Sequence, residues 1–321
     1  MLKKYILTNV AMDLDGTTFY RIKALRDFGD VHAGDVGGWV ECDDAISNAG
    51  TAWVYDNAKV CGYATVRDDA KVCGNALIKD SHIYGKAKVY GNACIETTHV
   101  YGNAEVYGNA NLRGSEVYDG AKVYGDAEMQ GEAKVYGHAE VYGLSQISDN
   151  AQVYGSAKVH GDGEGYVCVY DNAEVSENAE ICGSASVFGN AQVYGNAKVS
   201  GHAKIYEKAR VNNAAKIYDN AEVYGEANVW WSAEVYGNAE VYGEANVEGK
   251  AKVYDYATIG DGARIQDDAK IYGHAKVYDW SKIYGHAEIY DHAEIFGDAE
   301  VCGDTKVGGD TKIDMWEDSN E

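Results

Sequence analysis

The chain has 321 residues, including 38 Gly, 27 Tyr and no Pro, and its 28 basic and 51 acidic side chains give a formal net charge of -23. This charge repels phosphate groups, so we expect neither direct nucleic-acid binding nor attachment to anionic membranes. Because 46% of the residues are hydrophobic, the composition excludes a disordered or collagen-like chain. The segment 1–9 is too short and polar for a secretory signal, which favours a cytoplasmic protein.

Segment 1–39 is predicted to form an N-terminal β-hairpin cap and the approach to the repeats. Two apolar runs, 5–7 and 18–22, flank residues 13–16, where Asp15-Gly16 favours a tight hairpin turn. At the other end, segment 314–321 is predicted to be a C-terminal tail that places Met315 and Trp316 over the last repeat. Segment 40–313 lies between them and carries the repeats.

From Val54 onward the sequence repeats every six residues as aliphatic, Tyr, Gly, a polar residue, Ala, and Lys or Glu. Val106-Tyr107-Gly108-Asn109-Ala110-Asn111 is a typical copy. Apolar and polar side chains alternate before each Tyr, which indicates a short strand with one buried face. Gly and Asn then permit a sharp corner, because both tolerate positive φ. Each hexad is therefore predicted to be one strand followed by one corner.

A strand this short cannot bury its inner face alone, so successive hexads must coil and stack. The step between aliphatic positions shrinks to five residues at Ile78–Ile83, Ile95–Val100 and Leu112–Val117, always three units apart. Three hexads per coil place all three deletions at one corner of a triangular prism. The 44 units then make about 15 coils and, at the strand spacing of ~4.7 Å, a prism of about 70 Å. A ten-residue step from Val159 to Val169 indicates a loop insertion at another corner.

The repeat resembles that of the bacterial hexapeptide-repeat transferases, whose fold is a left-handed parallel β-helix. Gly37-Gly38-Trp39-Val40, followed by the repeat, is similar to acyltransferase-like hexapeptide-repeat proteins of enterobacteria and phages. The resemblance implies an all-β fold, left-handed coiling and, for an enzyme, acyl-CoA as cosubstrate and a histidine at a cleft between subunits. The resemblance also implies that loop insertions shape this cleft. The sequence departs from that pattern, because its one clear insertion after Val54 is the loop near 161–165.

Folding the hexads onto three faces predicts columns of aromatic side chains that point outward. Stacking alone stabilises such columns, and broad outward tyrosine columns also form a potential association surface. The predicted binding surface consists of Tyr84, Tyr101, Tyr118, Tyr136 and Tyr154 on one face, and Tyr218, Tyr236, Tyr254, Tyr272 and Tyr290 on a second face, where His160, Cys182 and Ser200 precede Tyr218. Tyr90, Tyr107, Tyr124 and Tyr142 lie earlier on that second face, and the third face becomes aromatic at Tyr170, Phe188, Tyr206, Tyr224 and Tyr242.

The histidines are the weak catalytic candidates. His82 and His99 are predicted to lie outward on adjacent coils, about 5 Å apart, which is close enough to share a metal ion or to act as a base and its neighbour. His160, beside the inserted loop, is a weaker candidate. Seven dispersed cysteines without a C-x-x-C pair indicate no disulfide framework and no zinc ribbon, and we predict no metal site and no cofactor. The other repeat histidines replace Asn at corners, where a role in the turn explains them: His138, His202, His274, His286 and His292.

These observations favour a non-catalytic structural or interaction protein, an acidic rigid solenoid that self-associates as a trimer or dimer through its tyrosine columns. A protein or carbohydrate partner is the second expectation. The alternative is an acyl-CoA-dependent acyltransferase acting at a subunit cleft, as the resemblance implies. A third hypothesis is an acidic DNA mimic that occupies a DNA-binding protein. The sequence leaves the partner, the oligomeric state and a phage or host role open.

Overall fold

The computed structural model describes residues 2–161, 163 and 165–314, and the predicted positions of Met315 and Trp316 lie outside that range. The described residues form 47 β-strands and no helix. They accordingly include no helix with the length and apolar character needed to cross a bilayer. The chain divides into two compact units, Met1–Ser156 and Ala157–Glu321, which are described in turn.

Unit 1 begins with the predicted hairpin. Strands β1 (Tyr5–Leu14) and β2 (Thr17–Ala24) pair antiparallel around Asp15 and Gly16, both at positive φ, with values of 49° and 80°. Strand β3 (Val36–Val40) pairs antiparallel with β2 and parallel with the first strand of the repeat that follows it on the same face. The hairpin prediction is therefore confirmed.

The rest of unit 1 is a parallel β-solenoid whose coils visit three faces in turn. Face 1 contains Thr65–Val66, His82–Ile83, His99–Val100, Glu116–Val117, Lys134–Val135 and Gln152–Val153. Face 2 contains Trp53–Val54, Lys71–Val72, Lys88–Val89, Glu105–Val106, Lys122–Tyr124 and Glu140–Tyr142. Face 3 contains β3 and then Lys59–Cys61, Leu77–Lys79, Cys94–Glu96, Asn111–Arg113, Glu128–Gln130 and Ser145–Ile147.

Unit 2 repeats the same three-faced arrangement, and its faces are numbered in the same order. Face 1 contains Glu174–Val175, Gln192–Val193, Arg210–Val211, Asn228–Val229, Asn246–Val247, Arg264–Ile265, Lys282–Ile283 and Glu300–Val301. Face 2 contains Lys158–His160, Glu180–Cys182, Lys198–Val199, Lys216–Ile217, Glu234–Val235, Lys252–Val253, Lys270–Ile271, Glu288–Ile289 and Lys306–Val307. Face 3 contains Val167–Val169, Ser186–Val187, Lys204–Ile205, Glu222–Val223, Glu240–Val241, Thr258–Ile259, Lys276–Val277, Glu294–Phe296 and Lys312–Asp314.

The strand register confirms three hexads per coil. Ile95 pairs with Ile78 on one side and with Leu112 on the other, so the three shortened corners lie over one another. Within unit 2 the register is 22 residues where Val159 pairs with Ile181, across the loop insertion, and 18 residues in later pairs such as Val175 with Val193. The left-handed sense of the coil, which came from the resemblance, stays a prediction.

The core follows directly from the hexad. The aliphatic residue and the Ala four places later both point inward, and typical pairs such as Val106 with Ala110 are fully buried. At the shortened corners Ala is replaced by Ser81, Thr98 and Ser115, which are also buried. The Ser81 Oγ accepts a hydrogen bond of 3.0 Å from the Thr98 backbone N–H. The hydroxyl thus satisfies a buried backbone donor at the shortened corner. The solenoid thus places most of the remaining side chains of the repeat at its surface or corners.

Candidate functional site

The predicted tyrosine columns are present. On face 1 of unit 1, neighbouring rings from Tyr84 to Tyr154 lie 4.8–4.9 Å apart between centroids, with interplanar angles of 2–3°. On face 2 of unit 2, rings from Tyr218 to Tyr290 are 4.8–5.4 Å apart. The column from Tyr90 to Tyr142 and the column that begins at Tyr170 on face 3 of unit 2 stack in the same way.

These rings are half-buried, because each covers the faces of its neighbours and leaves an edge to solvent. Several of their hydroxyl groups donate hydrogen bonds to glutamates of the next coil. The Tyr206 hydroxyl donates to Glu222 Oε2 over 3.0 Å, and the Tyr101 hydroxyl donates to Glu116 Oε2 over 3.4 Å. Burial, together with the nearby Glu116 carboxylate, raises the pKa of Tyr101 to about 12. The columns therefore display ring edges and protonated hydroxyls.

His82 and His99 lie on adjacent strands of face 1 in unit 1, as predicted. Their rings are 5.1 Å apart between centroids at an interplanar angle of 81°, and His82 Nδ1 is 2.9 Å from Thr65 Oγ1. Burial, with the neighbouring His99 and Arg67, lowers the pKa of His82, so the ring favours its neutral form. A surface groove of about 420 Å³ is lined by Thr65, Arg67, Asp68, His82, Tyr84 and His99.

The groove joins an imidazole pair to a guanidinium. A neutral imidazole can accept a proton, and an arginine can bind an anionic group of a ligand. Arg67 and Thr65 were not among the predicted site residues. The hexad count could have predicted that they lie on the same face as His82, because Thr65 pairs with His82 in register.

His160 lies on face 2 of unit 2, whereas His82 and His99 belong to unit 1. Its Nε2 is 3.1 Å from Glu180 Oε1, and Lys198 Nζ is 3.2 Å from the same oxygen. Burial opposes ionisation of Glu180, but the hydrogen bonds with His160 and Lys198 outweigh it and lower the pKa of Glu180. The potential ligand atoms of His160, Glu180 and Cys182 lie within 4.8 Å of one another. Sequence reasoning missed Glu180 and Cys182 as members of a cluster.

Several large aromatic side chains are more exposed than the columns. Trp231, Tyr256 and Trp280, all in unit 2, are each 57% exposed at corners. Trp231 has a φ of 60°, a left-handed conformation that is unfavourable for a bulky residue. The hexad pattern predicts Gly or a polar residue at these corner positions. A comparison of each corner with the repeat would therefore have found these three rings in the sequence.

Part of the chain is similar to a known protein family. The family described as the YdcK beta solenoid repeat matches residues 145–161, and over this stretch the chain is similar to that family. A search of curated proteins finds no match. Together with the parallel strand register, the similarity supports a solenoid repeat protein. The acyltransferase-like resemblance of the wider sequence stays a prediction.

Proposed function

We propose that this solenoid is a non-catalytic structural or interaction protein that self-associates, as a dimer or trimer, through its tyrosine columns. The observation that supports this most directly is the face 1 column of unit 1, in which five parallel rings present a continuous row of edges. Tyrosine is enriched in the residues that contribute most to protein interfaces. A repeated row of this kind offers many equivalent contacts to a second copy.

The stack also lowers the entropic cost of association. An isolated tyrosine loses rotamer freedom when a partner immobilises it, at about 0.5–1.5 kcal/mol for each flexible side chain. Rings held between neighbours at 4.8–4.9 Å are already ordered, so the partner gains apolar contact at a smaller cost. Burial of the remaining ring edges contributes roughly 25 cal/mol per Å².

The same geometry favours a protein surface over a carbohydrate. Sugars contact aromatic residues through the ring faces, whereas these faces are covered by the rings above and below. The hydroxyls and edges that remain suit the mixed polar and apolar surface of a protein. A second copy of the chain is therefore the first partner to test, with another protein as the alternative.

The experiment replaces Tyr101, Tyr118 and Tyr136 together by Ser, and measures the mass in solution by light scattering. The unmodified chain is expected at a multiple of the chain mass, and the triple Ser variant at or near a single chain mass with an unchanged β-sheet spectrum. The matched control replaces the same residues by Phe, which retains the stacked rings and should retain association. A single chain mass for the unmodified protein would show that self-association is wrong.

The second candidate is an acyl-CoA-dependent acyltransferase, and the groove that holds His82, His99 and Arg67 supports it. The guanidinium suits the phosphates of an acyl-CoA, and the neutral imidazole suits a general base. Acyl-CoA binding measured by calorimetry, and its loss in His99→Ala, would favour this function over the first. Absence of binding would remove it.

The acidic DNA mimic also stays a proposal. A DNA mimic needs carboxylates that are arranged to bind a partner. Several corner aspartates instead have a structural role within the solenoid. For example, Asp171 Oδ2 accepts a 3.0 Å hydrogen bond from the Gly189 backbone N–H. This role accounts for part of the acidic composition without a DNA-binding partner.

A further inference from the structure

A break in the outward aromatic positions of face 2 in unit 2 holds three potential metal ligands. His160 and Cys182 occupy paired outward positions on neighbouring strands. Glu180 lies two residues before Cys182 on the same strand and points to the same side. His160 reaches Glu180 much as column tyrosines reach the glutamate of the next coil. The thiol of Cys182 then stands where a stacked ring would otherwise cover the site.

The spacing of the ligand atoms suits one ion. In a tetrahedral zinc site, bonds of about 2.0–2.3 Å place neighbouring ligand atoms about 3.3–3.8 Å apart. Here His160 Nε2 and Glu180 Oε1 are 3.1 Å apart, and the ligand atoms of all three residues lie within 4.8 Å of one another. Small side-chain rotations bring such a set to bonding distance, because the strands already fix the three Cβ positions.

We propose that His160, Glu180 and Cys182 bind a single Zn²⁺ ion at the surface of unit 2. An imidazole nitrogen, a carboxylate oxygen and a thiolate are all established zinc ligands, and the thiolate selects against Mg²⁺ and Ca²⁺. Binding releases the thiol proton of Cys182 to solvent. The neutral His160 ring changes tautomer, its proton passing through solvent from Nε2 to Nδ1, and the hydrogen bond between His160 and Glu180 is replaced by two bonds to the ion. The charges of the thiolate and the carboxylate balance the charge of Zn²⁺.

The environment leaves a fourth coordination position open. A surface groove of about 210 Å³ is lined by His160, Cys182, Gly183, Ser184, Ser200, Gly201 and His202. Its small side chains leave room for a water molecule or an external ligand on the ion. Three protein ligands with one accessible position is the arrangement of zinc sites that bind a substrate or water, whereas structural sites have four protein ligands.

Lys198 competes with the ion, because its ammonium group pairs with Glu180 Oε1 at 3.2 Å. An exposed pair of this kind contributes about 0.2–1 kcal/mol, so its removal should tighten zinc binding roughly 1.4–5-fold. We therefore predict that Lys198→Met binds zinc more tightly than the unmodified chain. A purely structural role for the cluster would produce no such gain.

The test titrates the metal-free full chain with zinc chloride against a chromophoric chelator, and follows Co²⁺ binding by its thiolate charge-transfer absorption. One zinc ion per chain is expected. Loss of a direct ligand in Cys182→Ser or His160→Tyr should weaken binding more than the 10–100-fold typical of an outer partner. His160→Tyr introduces the residue typical of the columns, and Cys168→Ser, a half-buried cysteine on another face, is the control that should retain full affinity.

The proposal is overturned if the unmodified chain binds no stoichiometric zinc, or if Cys182→Ser and His160→Tyr bind zinc as the unmodified chain does. Circular dichroism establishes that each variant is folded. A second measurement needs no variant: zinc should protect Cys182, but not Cys168, from alkylation, as read by peptide mass mapping. Equal alkylation of both cysteines with and without zinc would also contradict the site.

Discussion

At the scale of single residues, a structural role of the corner aspartates explains part of the acidic charge of this chain. Asp267 adopts a φ of 58°, and its Oδ2 accepts a 3.1 Å hydrogen bond from the Gly285 backbone N–H in the next coil. Asp tolerates the left-handed region better than most residues because its short side chain bonds to nearby backbone. The same bond to a glycine of the next coil recurs at Asp56, Asp68, Asp171, Asp219, Asp255, Asp279 and Asp291.

Asp267→Ala should therefore destabilise the solenoid, by about 1–2 kcal/mol, because it loses the bond to Gly285 and leaves Ala in the left-handed region. Asp268→Ala is the matched control. Asp268 is also an exposed corner aspartate but is not at positive φ, and we expect a change within about 0.5 kcal/mol. Midpoints of urea denaturation compare the two, and equal effects would mean that charge, not corner geometry, controls stability.

At the scale of strands and columns, each tyrosine column is coupled to a ladder of acids and lysines. Glu222 accepts a hydrogen bond of 2.8 Å from Lys204 Nζ and one of 3.0 Å from the Tyr206 hydroxyl. The bond from Lys204 and that from Tyr206 lower the pKa of Glu222, although burial opposes this. The ring stack and the charge ladder therefore stabilise the same pair of strands, Lys204–Ile205 and Glu222–Val223.

This coupling predicts an acid-sensitive contribution to stability. Because the pKa of Glu222 is lower in the folded chain than its ordinary value of 4.5, its contribution is complete above pH 4.5 and is lost as the pH falls through the folded value. Glu222→Gln should therefore lower the melting temperature at pH 7 and have a smaller effect at pH 3. Thermal unfolding at both pH values checks this. An effect that is constant with pH would contradict the assigned role of the carboxylate.

The shortened corner shows how far sequence reasoning reaches at this scale. The five-residue steps predicted that Ile78, Ile95 and Leu112 lie over one another, and the register confirms this. They did not predict that Thr97 there adopts a φ of 48°, or that Thr98 bonds to Ser81 across the coils. A deletion in the sequence shows where the backbone is shorter. How the shortened corner is closed depends on which polar groups come into contact in the folded chain.

At the scale of the whole molecule, the solenoid architecture makes each coil depend mainly on its neighbours. In unit 1, Ile95 is fully buried and pairs with Ile78 and Leu112 in the coils on either side. Parallel strands of this kind contribute through nearest-neighbour contacts, so stability is close to a sum over repeats. Local damage should therefore remain local.

Ile95→Ala should destabilise unit 1 by about 2–5 kcal/mol, because it leaves a cavity in a packed core. Hydrogen exchange should accelerate most in the strands that contain Ile78, Ile95 and Leu112, and less at Val54, farther along unit 1. Cys94→Ser, at the half-buried outward position beside Ile95, is the control and should change exchange little. Uniform acceleration through unit 1 would show that it unfolds as one cooperative body, contrary to the nearest-neighbour expectation.

The sequence by itself determined the hexad, three units per coil, the inward Val and Ala residues and the aromatic columns. It could do so because strand side chains alternate and an identical register repeats each position at a constant spacing. Only the tertiary structure decided that tyrosine hydroxyls such as that of Tyr206 bond to acids, that Arg67 lines the groove of His82, and that the side chains of His160, Glu180 and Cys182 converge. Periodicity specifies where each Cβ lies, but the direction of a long side chain depends on the charges, hydrogen bonds and space that its neighbours in adjacent coils provide.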